Sequence, residues 1–208
     1  KLPTGFNIST LDTSEVSLGN VDLSGVTGLT IAHLNSSKGI FTKLPLGFDV
    51  SDLNTTNKSL SWVNFKGTIG LTVAQLNAAQ LNLSRTVLPD NFDVTNFDLT
   101  GRNLYQADLS GAINLTGTQL NQSSDNTGII LPSGFDMNSW NTSGKSLSNI
   151  NLTDVINLNI NHLNHASDIR GIKYPNSFDL SGLNTTGKEL GFSDFTNTEG
   201  LTASHLTN

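Results

Sequence analysis

Leu88-Pro89-Asp90-Asn91-Phe92-Asp93 is one of five versions of a short phrase that sets the whole chain in register. The others are Leu2-Pro3 with Phe6, Leu44-Pro45 with Phe48, Leu131-Pro132 with Phe135 and Tyr174-Pro175 with Phe178. Successive prolines lie 42, 44, 43 and 43 residues apart, and no proline falls outside the series. A period of this size marks a repeat architecture, in which one unit cannot bury its apolar face alone and stacking covers it. The 208 residues form a single array of five repeats, approximately 1–42, 43–86, 87–129, 130–172 and 173–208.

Further apolar columns follow in the same register. The Phe column (Phe6, Phe48, Phe92, Phe135, Phe178) is followed five residues on by Leu11, Leu53, Phe97, Trp140 and Leu183. Next come Leu18, Leu60, Leu104, Leu147 and Leu190, then Leu23, Phe65, Leu109, Leu152 and Phe195. Leu29, Leu71, Leu115, Leu158 and Leu201 precede a last column of Leu34, Leu76, Leu120, Leu163 and Leu206. The steps of 5, 7, 5, 6 and 5 residues fit neither the helical period of 3.6 nor the strand period of 2. They fit a squared coil, each side a very short extended segment with one large inward residue and a turn of small polar residues. Two coils of about 20 residues fill one repeat, and the unlike stretches such as 36–43 and 122–130 are expected to bulge outward, where repeat arrays carry insertions.

Val21-Asp22-Leu23-Ser24-Gly25, Ala107-Asp108-Leu109-Ser110-Gly111 and Ile150-Asn151-Leu152-Thr153-Asp154 resemble pentapeptide repeats, here as a divergent unit of 43 residues. That resemblance implies a right-handed quadrilateral β-helix whose central Leu or Phe fills the interior beside a small residue two positions earlier. Val21, Val63, Ala107 and Ile150 match the small apolar position and Ser193 departs from it. In the preceding pentads only Val16 conforms; Lys58, Arg102, Lys145 and Lys188 are expected to turn outward at a corner. The expected fold is all-β, a right-handed parallel β-helix or solenoid. Leucine-rich repeats are the rival, since Leu-Asn pairs recur at Leu34, Leu76, Leu120 and Leu163, but their Leu-x-Leu strand is missing.

Charged residues make up 13% of the chain and hydrophobic residues 36%, with Asn, Ser, Thr and Gly filling the remainder, so the chain is polar without the charge density of a disordered tail. A formal charge of −6 disfavours binding of nucleic acid through its phosphates. No apolar run is long enough for membrane insertion. Without cysteine there is no disulfide framework and no thiolate chemistry.

No repeat departs from its copies to place a carboxylate pair or a nucleophile with its base in one cleft, so no catalytic residue is expected and the chain is read as a non-enzyme. His33, His162 and His205 share a column with Gln75 and Gln119, too far apart in successive repeats to hold one metal ion; His162 and His165 lack a third ligand. No metal or cofactor is expected. Asp49, Asp93, Asp136 and Asp179 are assigned to turn hydrogen bonds, with Asn7 in the first repeat. Thr30, Thr72, Thr116 and Thr202 form a threonine column of the kind that orders water at ice surfaces, but without Thr-x-Thr pairs. Ten Asn-x-Ser/Thr sequons occur, and Asn54, Asn141 and Asn184 are aligned candidate glycosylation sites.

These features point to a structural repeat protein of an extracellular filament, a cell surface or an adhesin stalk, self-associating end to end or continuing in a longer chain. A surface glycan or protein partner would meet the unlike segments 36–43, 78–87 and 165–173. The alternatives are a cytoplasmic pentapeptide-repeat DNA mimic that binds a topoisomerase such as gyrase, and a carbohydrate- or host-binding adhesin or effector.

Overall fold

The computed structural model describes residues 1–38 and 42–207. It corrects the expected all-β helix. The only strands among the described residues are β1 (Phe92–Asp93) and β2 (Ala112–Ile113), two residues each and paired in parallel, and no sheet closes into a solenoid. Among the same residues four six-residue helices, α1 (Ile31–Ser36), α2 (Val73–Ala78), α3 (Gly117–Gln122) and α4 (Ile160–His165), accompany two 3-10 turns, Met137–Ser139 and Ala203–Leu206. Turns and loops form most of the rest.

The physical reason is the five-residue step itself. Among the described residues twelve non-glycine residues have positive φ, seven of them Asn, and twelve glycines do the same. Such residues turn the chain sharply, Asn and Gly at the least cost. Between two turns only one or two residues stay extended, too few for a ladder. Passes of chain 20 to 23 residues apart therefore meet through single parallel bridges such as Asn7 with Thr27 and Asp22 with Lys43. Side chains hold the turns: the N–H groups of Ser9, Ser51, Thr95, Asn138 and Ser181 donate to the carbonyl or carboxylate oxygens of Asn7, Asp49, Asp93, Asp136 and Asp179 at 2.8 to 2.9 Å. These are the turn bonds expected of the Asp column.

By its contacts the chain forms two compact units, residues 1–98 with 111–113, and residues 99–110 with 114–208. In the first unit Leu18, Leu23, Leu34, Leu53, Leu60, Phe65, Leu76 and Phe97 are buried; in the second, Leu104, Leu109, Leu120, Phe135, Trp140, Leu147, Leu152, Leu163 and Leu183 are. Phe48, Phe92 and Phe178 are half-buried, as are Leu29, Leu71, Leu115, Leu158 and Leu201, together with Leu190 and Phe195. Phe6 and Leu206 are 45% and 62% exposed. A column two residues past each Phe fills the core more completely: Ile8, Val50, Val94, Met137 and Leu180 are at most 1% exposed.

The unlike stretches do not bulge where they are described. Leu83 and Thr86, Asn126 and Ile129, and Ala166, Ile169 and Ile172 all turn into the interior. Residues 39–41 of the first such stretch lie outside the described residues.

Candidate functional site

The most regular polar feature is a seam at each short helix, where repeats are joined. It begins with the helix N-terminus, whose first N–H groups lack partners within the helix. Thr72 and Thr116 Oγ1 accept from the N–H groups of Gln75 and Gln119 at 3.2 Å, while those glutamines' Oε1 atoms accept from the Thr72 and Thr116 N–H groups at 2.8 and 3.0 Å. This reciprocal box is legible as Thr-x-x-Gln. The threonine column is thus a set of helix caps. In the other repeats histidine takes the glutamine's place: Nδ1 of His33, His162 and His205 accepts from the N–H of Thr30, Asn159 and Thr202 at 3.0, 3.1 and 2.9 Å.

His162 Nε2 lies 3.1 Å from the Met137 carbonyl, so both ring nitrogens are engaged. His162 and His165 border a recess of about 200 Å3 with Trp140, Asn141, Thr142, Asn159 and Asn161. Among the described residues no group of three His, Asp or Glu side chains is placed to hold a metal ion. His162→Gln is expected to leave stability within about 0.5 kcal/mol, because glutamine fills this role in α2 and α3, whereas His162→Ala should cost about 1 kcal/mol. Equilibrium denaturation of the two variants checks this.

The Leu-Asn pairs supply the second part of the seam. Asn35, Asn77, Asn121 and Asn164 donate through Nδ2 to the carbonyls of Asp52, Asn96, Ser139 and Gly182 at 2.9 to 3.1 Å. Their Oδ1 atoms accept from the N–H groups of Asn54, Asp98, Asn141 and Asn184 at 2.8 to 3.1 Å. Each amide mimics a backbone pair and ties one repeat to the next. The candidate glycosylation residues Asn54, Asn141 and Asn184 are exposed and donate the N–H of three of these ties, and their own Oδ1 atoms each accept a turn N–H at 3.0 Å.

The third part corrects the sequence expectation for the basic column. Its side chains turn inward: Arg102 is 3% exposed. Lys145 Nζ donates to the carbonyls of Asn121 and Ser123 at 3.0 and 2.8 Å, Lys58 to that of Asn35 at 3.3 Å, and Lys188 to that of Ala166. These carbonyls belong to the ends of the preceding repeat's helix, where cations are favoured. Burial pushes the ammonium groups of Lys58, Lys145 and Lys188 below the ordinary lysine value. Turn N–H donors, joined by the Ser51 and Ser181 hydroxyls at Asp49 and Asp179 and by the Asn157 amide at Asp136, hold these three carboxyls below theirs.

No family model, curated protein or solved structure matches the chain. Its surface must therefore be interpreted from its own geometry.

The first unit carries a second feature, an open groove of about 380 Å3 lined by Ser24, Lys43, Leu44, Leu46, Asn64, Lys66, Gly67 and Asp90. Parallel bridges from Asp22 to Lys43, Asn64 and Val87 run along it, and Lys66 Nζ lies 3.3 Å from Asp90 Oδ1. Leu46 is 90% exposed. The same unit displays Trp62 at a positive φ of 69°, with the Arg85 guanidinium carbon 3.9 Å from its ring centroid. Leu44 is visible in the sequence through its Leu-Pro register and Lys43 through the unlike stretch 36–43, whereas Leu46 and Lys66 replace residues that are polar in every other repeat and stood out in neither pattern.

Proposed function

We propose that this chain is a structural repeat protein, a length-giving element of an extracellular filament, cell surface or adhesin stalk, and not an enzyme. The observation that carries the reading is the use of its polar side chains. Asn, Asp, Thr, Gln, His and Lys, the types from which a catalytic centre would be drawn, satisfy backbone groups of their own turns or of the adjoining repeat in unit after unit. A scaffold assembled from equivalent joints needs that arrangement, because its stability rests on nearest-neighbour interfaces.

Apolar side chains left at the surface support association with a second copy. Leu11 is 41% exposed whereas its counterpart Leu53 is 4% exposed, and Leu206 is exposed where Leu120 and Leu163 are fully covered. No helix among the described residues is long and apolar enough to cross a membrane. Electron microscopy of the purified native protein at several concentrations tests the reading: regular filaments that lengthen with concentration are expected. Discrete particles of one size at every concentration would overturn it.

A further inference from the structure

The groove on the first unit and a ridge of alternating acidic and apolar residues are complementary. The ridge runs along the bridges that follow each Phe-Asp or Phe-Asn pair. Each unit carries its own ridge: in the first unit Asp49 and Ile69, then Asp93 and Ile113; in the second unit Asp136 and Ile156, then Asp179 and Glu199. All eight are exposed, and Ile69, Ile113 and Ile156 are among the largest apolar side chains facing solvent. The groove offers the opposite pattern, with Lys43 and Lys66 at its walls, Leu44 beside them and Leu46 standing above.

We propose that the groove of one molecule seats the Asp/Ile ridge of a second copy, carboxylates meeting Lys43 and Lys66 and an isoleucine packing against Leu46 and Leu44. Two arguments select a second copy as the occupant. First, charge is complementary within this one chain: against 17 acidic residues it has 11 basic ones, and four of these, Lys58, Arg102, Lys145 and Lys188, form the inward column. Lys38 pairs with Glu15, Arg170 with Asp168 and Glu189, and Arg85 lies over Trp62; in the groove Lys66 faces Asp90 at 3.3 Å, so two lysines against one lining carboxylate leave it net basic on a chain that is acidic overall. Second, Leu46 stands where Thr4, Asp90, Ser133 and Asn176 stand in the other repeats. An isolated leucine so exposed gains nothing within its own molecule, and an exposed apolar patch rimmed by polar groups marks an association site.

Groove and ridge are different surfaces, so the contact is heterologous and propagates from copy to copy. It goes beyond association through Leu11 and Leu206 and involves none of Phe6, Leu11 or Leu206. Either contact can fail with the other intact.

Analytical ultracentrifugation of the full chain tests the proposal, run in a Leu11→Thr, Leu206→Thr background that weakens association through those residues. The groove variant is Lys43→Gln, Leu46→Ser, Lys66→Ser. The ridge variant carries Asp→Asn at Asp49, Asp93, Asp136 and Asp179 and Ile→Thr at Ile69, Ile113 and Ile156, the residues the first repeat itself holds as Asn7 and Thr27, so its turns are retained. Association is expected at about 0.05 M salt and should weaken roughly tenfold at about 0.5 M as screening sets in. Each variant alone should stay monomeric. Mixed, they should form complexes that contain both variants and do not grow into chains, since intact grooves meet intact ridges but no molecule keeps both, an outcome that misfolding cannot produce. The proposal is overturned if the background protein is monomeric at low salt, if either variant associates undiminished, or if the groove binds a polyglutamate peptide through Lys43 and Lys66 without self-association.

Discussion

Gly117→Val should destabilise the second unit by about 3 kcal/mol or more, although valine or isoleucine is what three of the other repeats hold there. The counterparts of Gly117, the first residue of α3, are Ile31, Val73, Ile160 and Ala203. A Cβ placed on Gly117 would lie 2.2 Å from the Trp140 backbone nitrogen and 2.5 Å from the Ser139 carbonyl carbon. Those are main-chain atoms and cannot swing away as a side-chain tip can. The conflict is one of space, because the residue does not sit at positive φ. Its origin is the fourth repeat, where the 3-10 turn Met137–Ser139 leads into Trp140 and brings the backbone against α3. Denaturation with hydrogen exchange of the α3 amides measures the effect. A loss under about 1 kcal/mol would show that the Met137–Ser139 turn shifts freely.

Gly117 also shows where the repeat pattern stops being informative. A column reports what a position usually needs, whereas the Gly117–Trp140 pair is a compensation between neighbouring repeats that appears once. The register itself was legible, as were the leucine columns from Leu18 and Leu34 and the turn role of Asp49 and its copies. The secondary structure was not. A period of five is compatible with short extended sides, but left-handed turns at residues such as Asn20, Asn57 and Asn114 leave each side too short for a ladder. The six-residue helices escaped because the 3.6 period needs a longer window, although Thr72-x-x-Gln75 and Thr116-x-x-Gln119 carried the capping signal.

The candidate site was legible in its seam and illegible in its groove. Asn35 and its copies were visible as a column, yet an amide that imitates a backbone pair leaves no composition signature distinct from a loop asparagine. The basic column was misread for a related reason. A lysine at an inward position looks like an error in a core, unless helix carbonyls wait there for a donor. Leu46, Lys43 and Lys66 needed the passes of chain to be laid side by side before they became one surface.

Lys145→Met should cost about 2 kcal/mol, localised to the junction of the third and fourth repeats. Two terms oppose each other. Burial disfavours the ammonium, as its lowered pKa records, and methionine removes that penalty while filling the space of the aliphatic stem. Against this, the carbonyls of Asn121 and Ser123 at the end of α3 lose a charged donor at 3.0 and 2.8 Å. Hydrogen bonds to a charged group contribute about 1.5–3 kcal/mol, and an acceptor left buried without a partner costs about 1–3 kcal/mol. Two such bonds exceed the desolvation of a side chain that keeps some exposure, so loss is the expected sign. Lys145→Arg should be nearly neutral, since Arg102 occupies the same register position. Protection of amides 120–123 and 145–150 should fall together in the methionine variant, because the lysine joins those segments, and Lys58→Met should act separately on the first unit. A methionine variant as stable as the parent would mean that desolvation outweighs the two hydrogen bonds, and that the basic column sets repeat register rather than strengthening the joint.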